Sequence, residues 1–293
     1  MARVLAVGIA TLDIINTVAE YPPEDAEVRA SAQSLRRGGN ATNTLIVLSQ
    51  LGHRCAWAGT LADDASSAMI RADLRENNVD TTAVQEVKGG SSPTSYITLS
   101  QQNGSRTIVH YRDLPELDLA AFQQIDLSLF DWLHFEGRNV QQTRAMLDHA
   151  RQQAPHVPRS VEIEKPREHI GSLCEGVDLL LYSRCYAQAL SNARSADPTA
   201  FLQGRHTRLP EAEHICSWGE QGAWAIDRTG AVLHSPAMAL PRVVDTLAAG
   251  DTFNAGMIHG KLAGLPLADC LRDACRLAGL KCAQHGLQGL QLT

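Results

Sequence analysis

Short uninterrupted apolar runs recur along this chain with helix-patterned segments between them, and few architectures accept that order. Arg3 to Ile9 is one such run, and Cys55 to Gly59, Trp132 to Phe135, Ser160 to Ile163, Val177 to Tyr182 and His214 to Ser217 are further strand candidates. Asn40 to Leu51 (stopped by Gly52), the amphipathic Ala65 to Asn77, Val140 to Gln152 and Arg167 to Cys174 read as helices. Strands that are apolar on both sides must be covered on both sides. The alternation therefore predicts an α/β fold with a mostly parallel central sheet and helices on both faces. No repeat, low-complexity tract or linker interrupts it, so residues 1–293 read as a single domain.

Two stretches depart from the pattern. Ser95 to Leu99 and Arg106 to Tyr111 are strand-like and flank Asn103-Gly104, a pair that accepts the positive φ of a tight hairpin. Ile14 to Ala19 and Glu27 to Leu35 read as two strands around the turn Tyr21-Pro22-Pro23. Drawn from about 14–36 and 93–112, these strands predict a small β-layer projecting from the main domain. Ordinary surface hairpins are the plainer alternative.

A net charge of −6 argues against nucleic acid or an anionic membrane as partner. No apolar run reaches the ~18 residues of a membrane span, and the first ten residues read as a buried strand rather than a signal peptide. Seven cysteines without a C-x-x-C pair point to reduced, mostly buried thiols in a cytoplasmic protein, not to a zinc site.

The segment Val243 to Gly256, VVDTLAAGDTFNAG, carries the chemistry. Phe253, Met257, Ile258 and Leu262 fall at helical spacing, so a helix begins near Gly250. The first N–H groups of a helix have no internal partners, and the helix dipole adds positive charge there. Small residues at Ala248, Ala249 and Gly250 let a ligand approach those groups, which makes an anion hole. A carboxylate at Asp251 is expected to stay ionised in that setting and to act as a base beside a bound anion, an arrangement suited to phosphoryl transfer to an alcohol. Asp245 is expected at the end of a preceding strand, bracing the turn or lying near a cation. The plainer reading of Asp251 is a helix cap. In RRGGNATN, Arg36 to Asn43, two glycines precede a helix that starts with Asn40 and Asn43 on one face. The two amides suit a polyol, and helix capping is the alternative for Asn40.

Gly38-Gly39-Asn40 and the run Asp245 to Phe253, in this order and about 200 residues apart, resemble the two signatures of the ribokinase/PfkB carbohydrate kinase family. The resemblance runs nearly end to end. It is closer to the ketohexokinase branch, which phosphorylates fructose at C1, through RGGNATN, NGSRTIV, FEGRN, VEIEKPRE, PRVVDTLAAGDTFNA and LAGLKC. It implies a ribokinase-like fold with a lid, or clasp, that interlocks in a homodimer. It implies ATP and Mg²⁺ as cofactors, with a monovalent cation such as K⁺ as a further candidate. By the same resemblance Asp13, Gly39, Asn40 and Asn43 bind sugar hydroxyls, and Asp25 reaches across the dimer. Arg106 contacts the phosphates of ATP, and Glu136 and Arg138 support the sugar and phosphate region. Trp218, Glu220, Gly222, Cys275 and Gly279 line the nucleotide site, and Ala248, Ala249, Gly250 and Asp251 are anion hole and base. Core packing for Trp218 and Cys275, a surface ion pair for Arg138 and a solvated Lys165 are the plainer readings.

Two departures stand out. The family usually has glycine where this chain has Ala248, which is harmless at negative φ and strained otherwise. The stretch Ser183-Arg184-Cys185-Tyr186 lacks the Asn-x-x-Glu motif that organises Mg²⁺ water in many relatives, leaving Glu162 or Glu164 as indirect candidates. Residues 191–212 match poorly and receive no role. The competing readings are a kinase of ribose, a nucleoside or a phosphorylated or sulfonated sugar on the same fold, and a non-catalytic sugar sensor. A dinucleotide-binding reductase would need G-x-G-x-x-G after the first strand, which AVGIATLDI lacks.

Overall fold

The computed structural model describes residues 1–191 and 197–292. The chain begins with β1 (Arg3–Val7), β2 (Thr11–Val18), β3 (Ala32–Gly38), α1 (Asn40–Gln50), β4 (Arg54–Ala58), β5 (Thr60–Ala62) and α2 (Ala65–Glu76). It continues through β6 (Val79–Asp80), β7 (Gln85–Val87), β8 (Thr94–Ser100), β9 (Arg106–Tyr111), α3 (Leu119–Phe122), β10 (Trp132–Glu136), α4 (Val140–Gln153), β11 (Arg159–Ile163) and β12 (Leu179–Ser183). It closes with α5 (Arg184–Ser191), α6 (Pro198–Arg208), β13 (Glu213–Ser217), β14 (Ala223–Ile226), β15 (Val232–Ser235), α7 (Ala249–Leu262) and α8 (Leu267–Cys282). Of the stretch 191–212, positions 192–196 lie outside the described residues.

Nine strands form the main sheet in the order β15-β14-β13-β12-β11-β10-β1-β4-β6. It is parallel from β13 to β6 and antiparallel only where β14 and β15 join. Alternation along each strand splits the core in two. Val4 and Ala6 face the layer of α1, α7 and α8, while Leu5 and Val7 face that of α3, α4 and α6. Leu179 and Leu181 divide from Leu180 and Tyr182 in the same way. β4 and β10 flank β1 on opposite sides, so the order of the sheet reverses there, and a crevice opens beyond the carboxyl ends of the central strands.

The projecting layer is a four-stranded sheet, β3-β2-β8-β9. Its strand bounds correct the reading of the first hairpin, since β3 begins at Ala32 rather than Glu27 and residues 19–31 form a loop. The second hairpin closes on Asn103-Gly104 as expected, with Gly104 at φ 69° and the Ser105 N–H donating to Asn103 Oδ1 at 2.9 Å. Residues Arg167 to Cys174 are not a full helix; a short 3₁₀ turn covers Ile170–Cys174. Nor does a strand lead into the 243–256 segment. An extended loop does, pinned where the Val244 N–H donates to the Cys282 carbonyl at 2.8 Å.

Glycine sets two of the positions that matter here. Gly39, at φ 108°, precedes α1, and a Cβ there would lie 2.2 Å from the Ile9 carbonyl oxygen. In α7, a Cβ on Gly256 would lie 2.7 Å from Ala274 Cα and one on Gly260 3.1 Å from Cys270 Cα, so α7 and α8 pack backbone to backbone. Gly256→Ala therefore has to push apart two buried helices. We expect it to destabilise the fold by about 1–3 kcal/mol, as overpacking usually does. Chemical denaturation would measure this, and an unchanged midpoint would show that the contact can relax.

Candidate active site

A cleft of about 710 Å³ lies where the main sheet, the small sheet and the start of α7 meet. Consecutive rungs of the small sheet separate its two faces. Arg36, Asp13, Ser95 and His110 are in register across its four strands and all line the cleft. On the next rung Tyr96 and Val109 are exposed and lie outside the cleft lining, as strand alternation requires, whereas Leu35 on the edge strand still reaches the cleft wall. The ends of β10, β11 and β12 supply Glu136, Glu162 and Ser183, and the loop after β11 supplies Glu164.

Asp251 sits in the first turn of α7 and is buried. Its Oδ2 accepts a hydrogen bond from Asn43 Nδ2 at 2.7 Å, while Oδ1 has no partner among the described residues. A Cβ built on Gly250 would meet nothing within 4 Å, so the backbone here is open to a ligand. Ala248 adopts φ 63°, the left-handed region, so its methyl is strained where glycine would not be. The expectation that Asp251 stays ionised is corrected. Burial pushes its carboxyl up to about 7; the Asn43 hydrogen bond opposes the shift, and the charges of Glu136 and Glu164 add to it. Glu162, also buried, is driven well above the carboxylate range by burial and then by the charges of Asp251, Glu136 and Glu164. Its Oε2 has no hydrogen-bond partner.

The two asparagines divide their work. Asn40 donates to Glu162 Oε1 at 3.2 Å and to Glu164 Oε2 at 3.4 Å. Asn43 is committed to Asp251 on one side and accepts from Arg37 Nη1 at 2.9 Å on the other. Both amides line the cleft, and the helix face they share meets carboxylates there as well as open space. Asp13 is buried and accepts from Thr11 Oγ1 at 2.8 Å. Glu136 accepts from the Ile9 N–H at 3.0 Å and pairs with Arg138 at 3.5 Å, and Arg138 also reaches Glu116 at 3.1 Å. From the lid, Arg106 Nη1 donates to Thr246 Oγ1 at 3.1 Å, directly before the anion-hole loop.

The nucleotide-site residues implied by the resemblance fall outside the lining of this cleft. Trp218 is buried in the second core layer, its ring edge-on to Trp224 at 6.4 Å. Cys275 is buried, Glu220 is exposed, and Gly279 abuts Met238. Of that strand end, Ser217 lines the cleft. Asp25 is exposed at a turn with φ 60°, away from the cleft lining. Sequence reasoning passed over Lys281. Lys281, 1% exposed, places its ammonium 3.0 Å from the Asp245 carbonyl, 3.1 Å from Asp245 Oδ2 and 3.4 Å from the Gln284 carbonyl. Burial opposes ionisation of Asp245, but the Leu247 N–H and then Lys281 hold its carboxyl below the usual range. The signal for Lys281 was present, since Cys270, Ala274, Leu277 and Lys281 form one helical stripe whose other three members are apolar. Among the described residues, no group of three or more His, Cys, Asp or Glu side chains is placed to hold a metal ion, and no helix is long and apolar enough to cross a membrane.

A doubly covered α/β sheet with a β-lid over a cleft at the sheet's carboxyl edge, closed by a helix start built of small residues, defines a ribokinase-like enzyme. The chain belongs to the pfkB family of carbohydrate kinases, whose model matches residues 1–292. Ketohexokinase of Mus musculus is 40% identical over 296 residues, 98% of each chain. A ribokinase of Arabidopsis thaliana complexed with ribose and ATP superposes with a TM-score of 0.82 at 18% identity, covering 97% of this chain and 94% of that one. A ribokinase of Cryptococcus neoformans in complex with ADP gives 0.77 at 20% identity, covering 98% and 95%. The protein is thus an ATP-dependent carbohydrate kinase.

The raised carboxyl of Asp251 carries a stability signature. Its folded pKa of about 7 exceeds the ordinary 3.8, so the folded state holds the proton more tightly than the unfolded chain. The resulting penalty is absent below pH 3.8, grows through the window up to 7 and is complete above it. Asp251→Asn removes it. The variant should gain stability over the parent by an amount near zero at pH 4 and on the order of 1–4 kcal/mol at pH 8. Parallel denaturation curves at the two pH values test this, and a pH-independent difference would mean that the carboxyl is not perturbed.

Proposed function

We propose that this kinase transfers the γ-phosphoryl of ATP to a ketohexose, D-fructose, at the C1 hydroxyl, with Asp251 as general base. The observation that carries the reading is the buried Asp251 carboxyl, poised near neutral pKa at the first turn of α7 with one oxygen tied to Asn43 and the other free. A base of that strength takes the hydroxyl proton as the sugar oxygen bonds to phosphorus and the bond to the ADP oxygen breaks. The Gly250 N–H receives the developing phosphoryl charge, the Ala249 N–H being turned to the Thr246 carbonyl at 3.3 Å, and Arg106 on the lid follows the charge.

The acceptor is assigned from three supports: the 40% identity to ketohexokinase, the stretches FEGRN and VEIEKPRE, and the charge of the cleft. A sugar already bearing phosphate needs unmatched cations. On the cleft wall Arg36, Arg37, Arg138 and Lys165 are each matched by a carboxylate, respectively Asp245, Asp73, Glu116 with Glu136, and Glu164, which leaves Arg167, and Arg106 assigned to ATP, without a carboxylate partner among the described residues. Neutral hydroxyls suit Asp13, Gly39, Asn40 and the second N–H of Asn43, and the exocyclic C1 arm then points toward Asp251.

Mg²⁺ fits the unpartnered, buried Oε2 of Glu162 beside Glu164, which would hold it indirectly through water. When bound with ATP it neutralises charge on the transferring group. No monovalent cation is assigned. The oxygens beside the loop that would receive one, Asp245 O, Asp245 Oδ2 and Gln284 O, already bind the Lys281 ammonium.

The outer face of the lid supports homodimerisation. Tyr96 and Val109 are 52% and 64% exposed on a single rung, with Tyr111 exposed beside them, an apolar surface that a second copy would cover. Asp25 on the adjoining loop is then available to the facing site.

Three experiments test these readings. Asp251→Asn should lose ~10²–10⁴-fold in turnover with nucleotide binding retained, and ¹³C and ³¹P NMR of the product from ¹³C-fructose and MgATP should show phosphorus coupling at C1. Turnover above half of the parent removes Asp251 as base. Coupling at C6 overturns the pose, and preference for ribose, a nucleoside or a sugar phosphate over fructose overturns the acceptor. Sedimentation velocity should show a dimer that Tyr96→Glu with Val109→Glu dissociates, and a monomeric parent protein would overturn the clasp.

A further inference from the structure

Asp251 is held by an amide, and an amide has two ends. Asn43 places Nδ2 2.7 Å from Asp251 Oδ2 and Oδ1 2.9 Å from Arg37 Nη1. Rotating the amide by half a turn would exchange the two ends. It would aim an oxygen at the carboxylate and a nitrogen at the guanidinium, which is repulsive at both contacts. A guanidinium has only donors, so it accepts a single orientation of its neighbour. Arg37 itself cannot drift. Its side chain is 4% exposed, and it donates to Asp73 Oδ2 at 2.6 Å, Thr42 Oγ1 at 2.7 Å and the Gly38 carbonyl at 3.2 Å. Thr42 is fixed in turn, its hydroxyl within 3.0 Å of the Gly38 and Gly39 carbonyls.

We infer that Arg37 is a positioning residue for the phosphoryl-transfer step: by locking the amide of Asn43, it ties one oxygen of Asp251 and leaves the other to face the acceptor hydroxyl. The chain Asp73–Arg37–Asn43–Asp251 runs from α2 through the consecutive β3 and α1 to α7, so four elements set the direction of one carboxylate oxygen. The inference rests on the reading of Asp251 as base. It gives a role to an arginine that, in the sequence, was indistinguishable from its solvent-facing neighbour Arg36, which is 37% exposed and lies 3.7 Å from Asp245.

The test is a double-mutant cycle on the full-length protein with MgATP and fructose, using Arg37→Met, Asn43→Ala and the two combined. Arg37→Met should lower kcat by ~10–10²-fold, the scale of a misdirected reacting group, with KM for both substrates changed less than threefold. In the Asn43→Ala background the same change should have almost no further effect, because Arg37 acts through that amide. Arg37→Lys, whose ammonium also donates to Oδ1, should recover most of the turnover. If kcat is unaffected, if the two losses multiply, or if lysine restores nothing, the inference is overturned. Thermal melting monitors the fold. Should Arg37→Met melt below the assay temperature, the cycle is run with Arg37→Gln, whose side chain is two atoms shorter, and judged by the same non-additivity. Asp251→Asn separates the two readings. A variant that keeps turnover removes the base whatever the cycle shows, whereas an inactive Asp251→Asn with multiplying losses leaves the base standing and removes Arg37.

Discussion

The hydrogen bond from Asn43 to Asp251 joins residues 208 positions apart, and the architecture of the protein converges on it. It requires α1 to begin at the edge of β1 and α7 to begin at the same height beneath it. Gly39 permits the first, since its backbone lies against Ile9 where a side chain would collide. The packing of α7 on α8 through Gly256 and Gly260 permits the second. A carboxyl buried at that junction is costly to ionise, and a base needs that property if it is to hold and release a proton near neutrality.

Charge in the cleft is arranged in layers. Nearest the reacting position are carboxyls, Asp251, Glu136, Glu162 and Glu164, whose mutual repulsion and burial raise Asp251, Glu136 and Glu162 above the usual range. Around them stand cations that are already matched, Arg37 by Asp73, Arg138 by Glu116, Lys281 by Asp245. The small sheet serves two surfaces at once: its inner rungs carry Asp13 and His110 to the cleft, and its outer rung presents Tyr96 and Val109. The strict twofold alternation of strands makes both roles available to the same four strands.

Local pattern alone determined a good deal. Apolar runs alternating with helical stretches specified the doubly covered parallel sheet, because a strand apolar on both sides has no other stable setting. Asn103-Gly104 specified the lid hairpin through its tolerance of positive φ, and the small-residue run before Asp251 specified an open helix start. These are properties of residues close together in the chain. Where local signals were mixed, they misled. Glu27 to Ser31 looked strand-like but lies in a loop, having no strand to pair with, and Arg167 to Cys174 shortens to a single turn.

What only the tertiary structure decided was how side chains from distant elements meet. Arg36 and Arg37 are adjacent and chemically identical, yet one stands at the rim and the other is sealed against Asp73, Thr42 and Asn43. Asn40 and Asn43 share a helix face, but that face meets Glu164 at one end and Asp251 at the other. Trp218 belongs to the core because Trp224 and the second layer close over it. Asp251 rises toward neutrality through burial and through carboxyls at the ends of β10 and β11. Residue type fixes what a group can donate or accept, but burial and the field of remote neighbours exist only after the chain has closed on itself, and these decide what the group does.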